Sequence, residues 1–148
     1  MPVPEPQFDD LYRELILDHY RRPRNRGALA QATARAEGLN PVCGDEIHLD
    51  LDIHGGVIED IAFSGQGCSI SQSSASMLTD RVKGRSVEEA ARVMDKVRAM
   101  LVDGALPDEE IGDLEALEGV AKLPVRVNCA LLSWNVLREG LEQASTAA

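Results

Sequence analysis

The chain has 148 residues, 44% of them hydrophobic, enough for one domain with its own core and no need of disulfides. Lys and Arg number 15 against 25 Asp and Glu, and the net charge of −10 opposes the phosphate-neutralising surface of a nucleic-acid binder. Aromatic residues are only 3%, which argues against a base-stacking platform and calls for an aliphatic core.

The opening MPVPEPQFDD has neither a basic nor an apolar signal region, and the longest charge-free stretch, residues 61–79, is rich in Ser and Gly. The expectation is a single domain over residues 1–148, flexible at 1–7, cytoplasmic, with no membrane or nucleic-acid partner. In that compartment an odd count of three cysteines without a CxxC pair reads as thiols or metal ligands.

In chain order, Phe8, Leu11, Tyr12, Leu15, Ile16 and His19 mark the apolar stripe of a helix. Asp9 and Asp10 open it, Arg21 and Arg22 close it, and Pro23 stops it. Residues 28–37 alternate imperfectly and read as a strand. From Glu46 the period becomes two: Ile47, Leu49, Leu51 and Ile53 alternate with His48, Asp50, Asp52 and His54. Gly55-Gly56 supplies a hairpin turn, and 57–64 returns as the partner strand.

Helices follow. One runs from Ser69 through Ile70, Ser74, Met77, Leu78 and Val82, with Ser86-Val87-Glu88-Glu89 as the capping box of the next, ending near Val102. A short acidic helix spans 109–118, and a last one starts at Pro124 and carries Val127, Ala130, Leu131, Trp134, Leu137 and Leu141 on one face. Strands early and helices late predict an α+β fold: a small antiparallel sheet of about three strands with helices packed on one face.

Chemistry concentrates at the cysteines. Cys43 and Asp45 share the loop before the clear strand, and Cys68 follows Gly65-Gln66-Gly67 at a helix start. Cys129 is placed in or just before the first turn of the last helix, so all three thiols are expected to have lowered pKa values. The hairpin should return Cys68 to the sheet edge that holds Cys43. Three thiolates and one carboxylate suit tetrahedral zinc, and the same set suits iron–sulfur chemistry with one exchangeable ligand. By cysteine count alone, small buried hydrophobes are the simpler reading. His19 reads as a satisfied core residue, and His48 and His54 lie on a polar face.

The strings LYRELILDHY (11–20), RPRNRG (22–27), NPVCGD (40–45) and GQGCSIS (65–71) resemble those of the U-type iron–sulfur assembly proteins. This is the family of IscU and the N-terminal module of NifU, and the chain is most similar to its SufU branch. Asn128 stands before Cys129 where IscU-type proteins carry His. Leu123-Pro124-Val125-Arg126 replaces the Leu-Pro-Pro-Val-Lys read by a dedicated chaperone, and acidic residues 106–122 resemble the insertion of SufU-like members.

The resemblance implies a SufE/NifU-like fold and a zinc-dependent sulfur acceptor for a SufS-type cysteine desulfurase, working with downstream iron–sulfur assembly proteins. Cys43, Asp45, Cys68 and Cys129 would hold zinc, Cys43 would receive the sulfur, and Arg126 would be the basic residue beside the last ligand. The alternative it implies is a scaffold that assembles and passes on a [2Fe–2S] cluster, or holds iron, on the same four ligands.

Overall fold

The alternation around Leu49 becomes a strand with one dry face: Ile47, Leu49 and Leu51 have no exposed surface, while His48, Asp50 and Asp52 remain half-buried. The computed structural model describes residues 10–146, so Phe8 and segment 1–7 lie outside the described residues, as do the side chains of Leu11 and Tyr12. The elements are α1 (Asp10–Arg21), β1 (Ala34–Asn40), β2 (Asp45–His54), β3 (Val57–Gln66), α2 (Ser69–Val82), α3 (Val87–Asp103), a 3-10 run (Glu109–Lys122) and α4 (Pro124–Thr146).

The sheet is antiparallel in the order β1-β2-β3. Leu49 opposes Phe63 and Leu51 opposes Ile61, which aligns the apolar rows of β2 and β3. Gly55 and Gly56 both adopt positive φ, 57° and 75°, as a tight hairpin requires. β1 begins later than expected and runs to Asn40. Leu29 gives its N–H to the Asp50 carboxylate at 3.0 Å and its carbonyl accepts from Arg35, so this stretch is held by side chains instead of the ladder.

α4 covers the dry side of β1 and β2, and α2 packs on β3, α1 and α4. Trp134 is buried where α4 meets α2; its indole N–H donates to Ser74 Oγ, which donates to the Ala130 carbonyl at 2.7 Å. α2 departs from a simple amphipathic helix. Besides Ile70, Met77, Leu78 and Val82 it buries Ser71, Gln72, Ser73, Ser74, Ser76 and Thr79, because neighbours cover it nearly all round. His19 is the satisfied core residue expected, with Nδ1 2.7 Å from Ser76 Oγ.

Ser86 caps α3 by accepting the Glu89 N–H, but the Glu89 carboxylate pairs with Arg81. The expected acidic helix is instead a 3-10 run to Lys122, broken at Gly112 (φ 56°, ψ −130°). Its apolar residues Ile111, Leu114, Leu117 and Val120 are buried, and Glu110 joins it to Arg92 and Lys96 of α3. No helix among the described residues is long and apolar enough to cross a membrane.

Candidate metal centre

The β1–β2 connection places two of the four predicted ligands. Asn40 ends β1 opposite Asp45, which begins β2, and the Cys43 N–H donates to the Asn40 carbonyl at 3.2 Å, closing the turn. This leaves Cys43 half-exposed at the tip, beside the solvent-facing Val42. Asp45 shares the inward parity of Ile47 and Leu49 and is only 1% exposed. A buried carboxylate needs donors, and the returning strand brings them: the Cys68 N–H and the Ser71 hydroxyl reach Asp45 Oδ1 at 2.9 and 3.1 Å.

That approach depends on Gly67 (φ 152°). A Cβ there would strike Asp45 Oδ1 and lie 2.7 Å from Ser71 Oγ.

Cys129 enters from α4, fully buried, with its Sγ 3.3 Å from Cys43 Sγ. Asn40 Nδ2 lies between the parts, 3.5 Å from Asp45 Oδ2 and 3.7 Å from Cys129 Sγ. Ligand atoms of Cys43, Asp45 and Cys129 all fall within 4.8 Å of one another. Cys68 Sγ is not in that group; it accepts the Ser71 N–H at 3.5 Å and caps α2, next to Asp45. Arg126 is exposed in the first turn of α4, three residues before Cys129, and its guanidinium makes no ion pair among the described residues.

The charges are set by these contacts. Burial pushes the Asp45 carboxyl up, but the Cys68 N–H, the Cys129 thiol, the Ser71 hydroxyl and the Cys68 thiol outweigh it and hold the carboxyl below its ordinary value. Cys129 behaves opposite to expectation. Its thiol is pushed well up, first by burial, then by Cys43 and Asp45. α4 starts at Pro124, which puts Cys129 in the second turn and inside the core, beyond the reach of the helix N-terminus.

The donor set fits zinc. Two thiolates on a tetrahedral zinc at about 2.3 Å sit roughly 3.8 Å apart, close to the separation of Cys43 and Cys129 found here. A second group, Asp52, His54 and Glu59, lies at the hairpin end with His54 and Glu59 exposed; His54 Nε2 is 2.7 Å from Asp52 Oδ1, a contact that itself draws two of the three together. Ser71 and Asn40 also line this corner, and the sequence alone marks neither. The one local signal for Ser71 was its position three residues after the cap Cys68.

The NifU-like N-terminal domain family matches residues 11–145. The chain belongs to this family. Among its relatives, the zinc-dependent sulfurtransferase SufU of Bacillus subtilis (strain 168) is 45% identical over 136 residues, covering 90% of this chain and 91% of that protein. The iron–sulfur cluster assembly scaffold protein IscU of Streptococcus pyogenes serotype M1 is 41% identical over 142 residues, covering 95% and 89%. The crystal structure of a NifU-like protein (N-terminal) from Brucella abortus superposes with a TM-score of 0.87 at 26% identity, covering 95% and 98%. The family and the α+β fold are those expected from the cysteine loops and the strand pattern.

Proposed function

We propose that this protein is a zinc-dependent sulfur acceptor that takes persulfide sulfur from a cysteine desulfurase, with Cys43, Asp45, Cys68 and Cys129 as the metal ligands and Cys43 as the acceptor. The observation that carries the reading is the contrast between two touching thiols: Cys43 lies half-exposed on a turn, whereas Cys129, 3.3 Å away, has no exposed surface. A donor sulfur on another protein can approach the first and not the second. The 45% identity to a zinc-dependent sulfurtransferase supports the same choice.

Bound zinc supplies thiolates at neutral pH. The Cys43 thiolate attacks the outer sulfur of the donor persulfide. A new S–S bond forms at Cys43, the donor S–S bond breaks, and the donor cysteine leaves as a thiolate. Asp45 and Cys129 hold the floor of the site beneath the Cys43 turn, and Arg126, exposed at the start of α4, offsets the negative charge of the ligands.

A second reading, a scaffold for a [2Fe–2S] cluster on the same ligands, is favoured by the 41% identity to a protein named as an IscU scaffold. One experiment separates them: metal content of the purified protein, followed by desulfurase turnover with and without it. Zinc, stimulated turnover and one added sulfur atom on the Cys43 peptide support sulfur acceptance. A reconstituted cluster passed to an apo-acceptor without stimulation overturns it in favour of the scaffold.

A further inference from the structure

We propose that Ser71 is the positioning residue of the centre: its hydroxyl, with the Cys68 N–H, pins Asp45 Oδ1, so that the carboxylate offers a metal the single oxygen Oδ2. The proposal rests on the reading of Asp45 as a metal ligand.

Ser71 has no exposed surface, and its Oγ has three polar neighbours besides its own backbone: Asp45 Oδ1 at 3.1 Å, the Cys68 carbonyl at 3.1 Å and Gln72 Nε2 at 3.3 Å. The Gln72 amide donates, which occupies a lone pair and leaves the single hydroxyl proton to one of two acceptors at equal distance. A carboxylate outcompetes a neutral carbonyl for it. Oδ1 then holds two donors, the Ser71 hydroxyl and the Cys68 N–H. Oδ2 lies on the sulfur side, sharing Asn40 Nδ2 with Cys129 Sγ. The loop presses so close at Gly67 that even a Cβ would collide with Asp45 Oδ1 and come within 2.7 Å of Ser71 Oγ, so the hydroxyl and the carboxylate are packed directly under the loop backbone. Partners of this kind orient metal ligands and tune their strength.

The rival account gives Ser71 only a local task, closing the first turn of α2 through the Cys68 carbonyl. Zinc affinity, measured on the full chain by chelator competition, decides between them in S71A, D45A and the double variant. S71A is expected to bind zinc about tenfold more weakly, D45A more weakly still, and the double variant within about twofold of D45A. Cobalt, used as a visible probe, should show a band shift between the parent and S71A and none between D45A and the double variant. An unchanged affinity in S71A, or a further tenfold loss when S71A is added to D45A, overturns the positioning role. An unchanged affinity in D45A overturns the ligand reading beneath it. If S71A loses its helical circular dichroism, Gln72→Leu, which removes the donor behind the hydroxyl, carries the same test: a smaller loss that vanishes without Asp45.

Discussion

Asp45 and Glu110 are both carboxylates that gather donors, and they do so in opposite surroundings. Asp45 is 1% exposed and takes a backbone N–H and a hydroxyl that cannot move far. Glu110 keeps 24% of its side chain exposed and takes the long, flexible Arg92 and Lys96 of α3. Solvent reaches the partners of the second and is kept from the first by burial. Burial therefore makes one carboxylate a fixed point of the fold, while the other fastens the 3-10 run to α3 through contacts that salt weakens.

The sharpest way to break this contrast is Cys43→Ser, which should reduce sulfur uptake from a desulfurase to background in a persulfide-labelling assay, while Glu110→Gln leaves uptake at the parent level. Labelling that persists on Cys68 or Cys129 would overturn the role of Cys43. Next, stripping zinc with a chelator should lower the melting temperature by roughly 10 °C or more, because the metal's binding energy adds to folding; calorimetry of both forms measures it. Gly67→Ala should destabilise the protein by about 1–3 kcal/mol in urea titrations, through the strained φ and the collision with Asp45.

His19 tests the ground between the two regions, since it lies in a cleft with Asp113 and Ile111 of the 3-10 run and bonds Ser76 of α2. Burial and then Arg24 hold its pKa below the ordinary 6.5, against the opposing pull of Asp80, Asp18 and Asp113. The folded ring stays neutral where the unfolded one protonates. Its contribution is therefore complete above pH 6.5 and lost as pH falls through the depressed native value, with a slope of at most about 1.4 kcal/mol per pH unit. Urea midpoints from pH 7.5 down to 5 should show this slope, flattened in His19→Gln.

The smallest effect is expected from Glu110→Gln, a loss of at most a few degrees in melting temperature that fades at high salt. The Glu110 carboxyl is held below its ordinary value first by Lys96 and then by Arg92, so its contribution is present above about pH 4.3 and disappears as the solution is made more acidic.

The legible parts of the sequence were those governed by period and punctuation. Ile47, Leu49 and Leu51 declared the buried face of β2, Gly55-Gly56 declared the hairpin, and together they implied that the loops bearing Cys43 and Cys68 meet at one edge. Contacts made across the fold were not legible. Nothing near Ser71 in the chain announces Asp45, 26 residues away, as its partner, and the string SISQSSASM does not look like a buried helix until α1, α4 and the sheet are seen around it. The thiol of Cys129 is not legible because its nearest helix end suggests a dipole, whereas burial and then the neighbouring Cys43 and Asp45 dominate. The extent of β1 was misplaced because Asp50, a residue of the partner strand, captures the backbone that precedes it.

The hydroxyl lining of α2 also bears on the order in which the chain assembles. Beside its buried Ile70, Met77, Leu78 and Val82, α2 carries two buried hydroxyls, Ser74 and Ser76, whose partners lie on other helices, so each gives up water before its partner is in place if α2 collapses early. Ser74 needs the Ala130 carbonyl of α4, and Ser76 needs His19 of α1. α2 is thus expected to dock late, after the hairpin and α4 have met. The loop carrying Cys68 would then be the final piece of the proposed metal corner to arrive, and an ion captured there would act as the latch on a nearly finished fold.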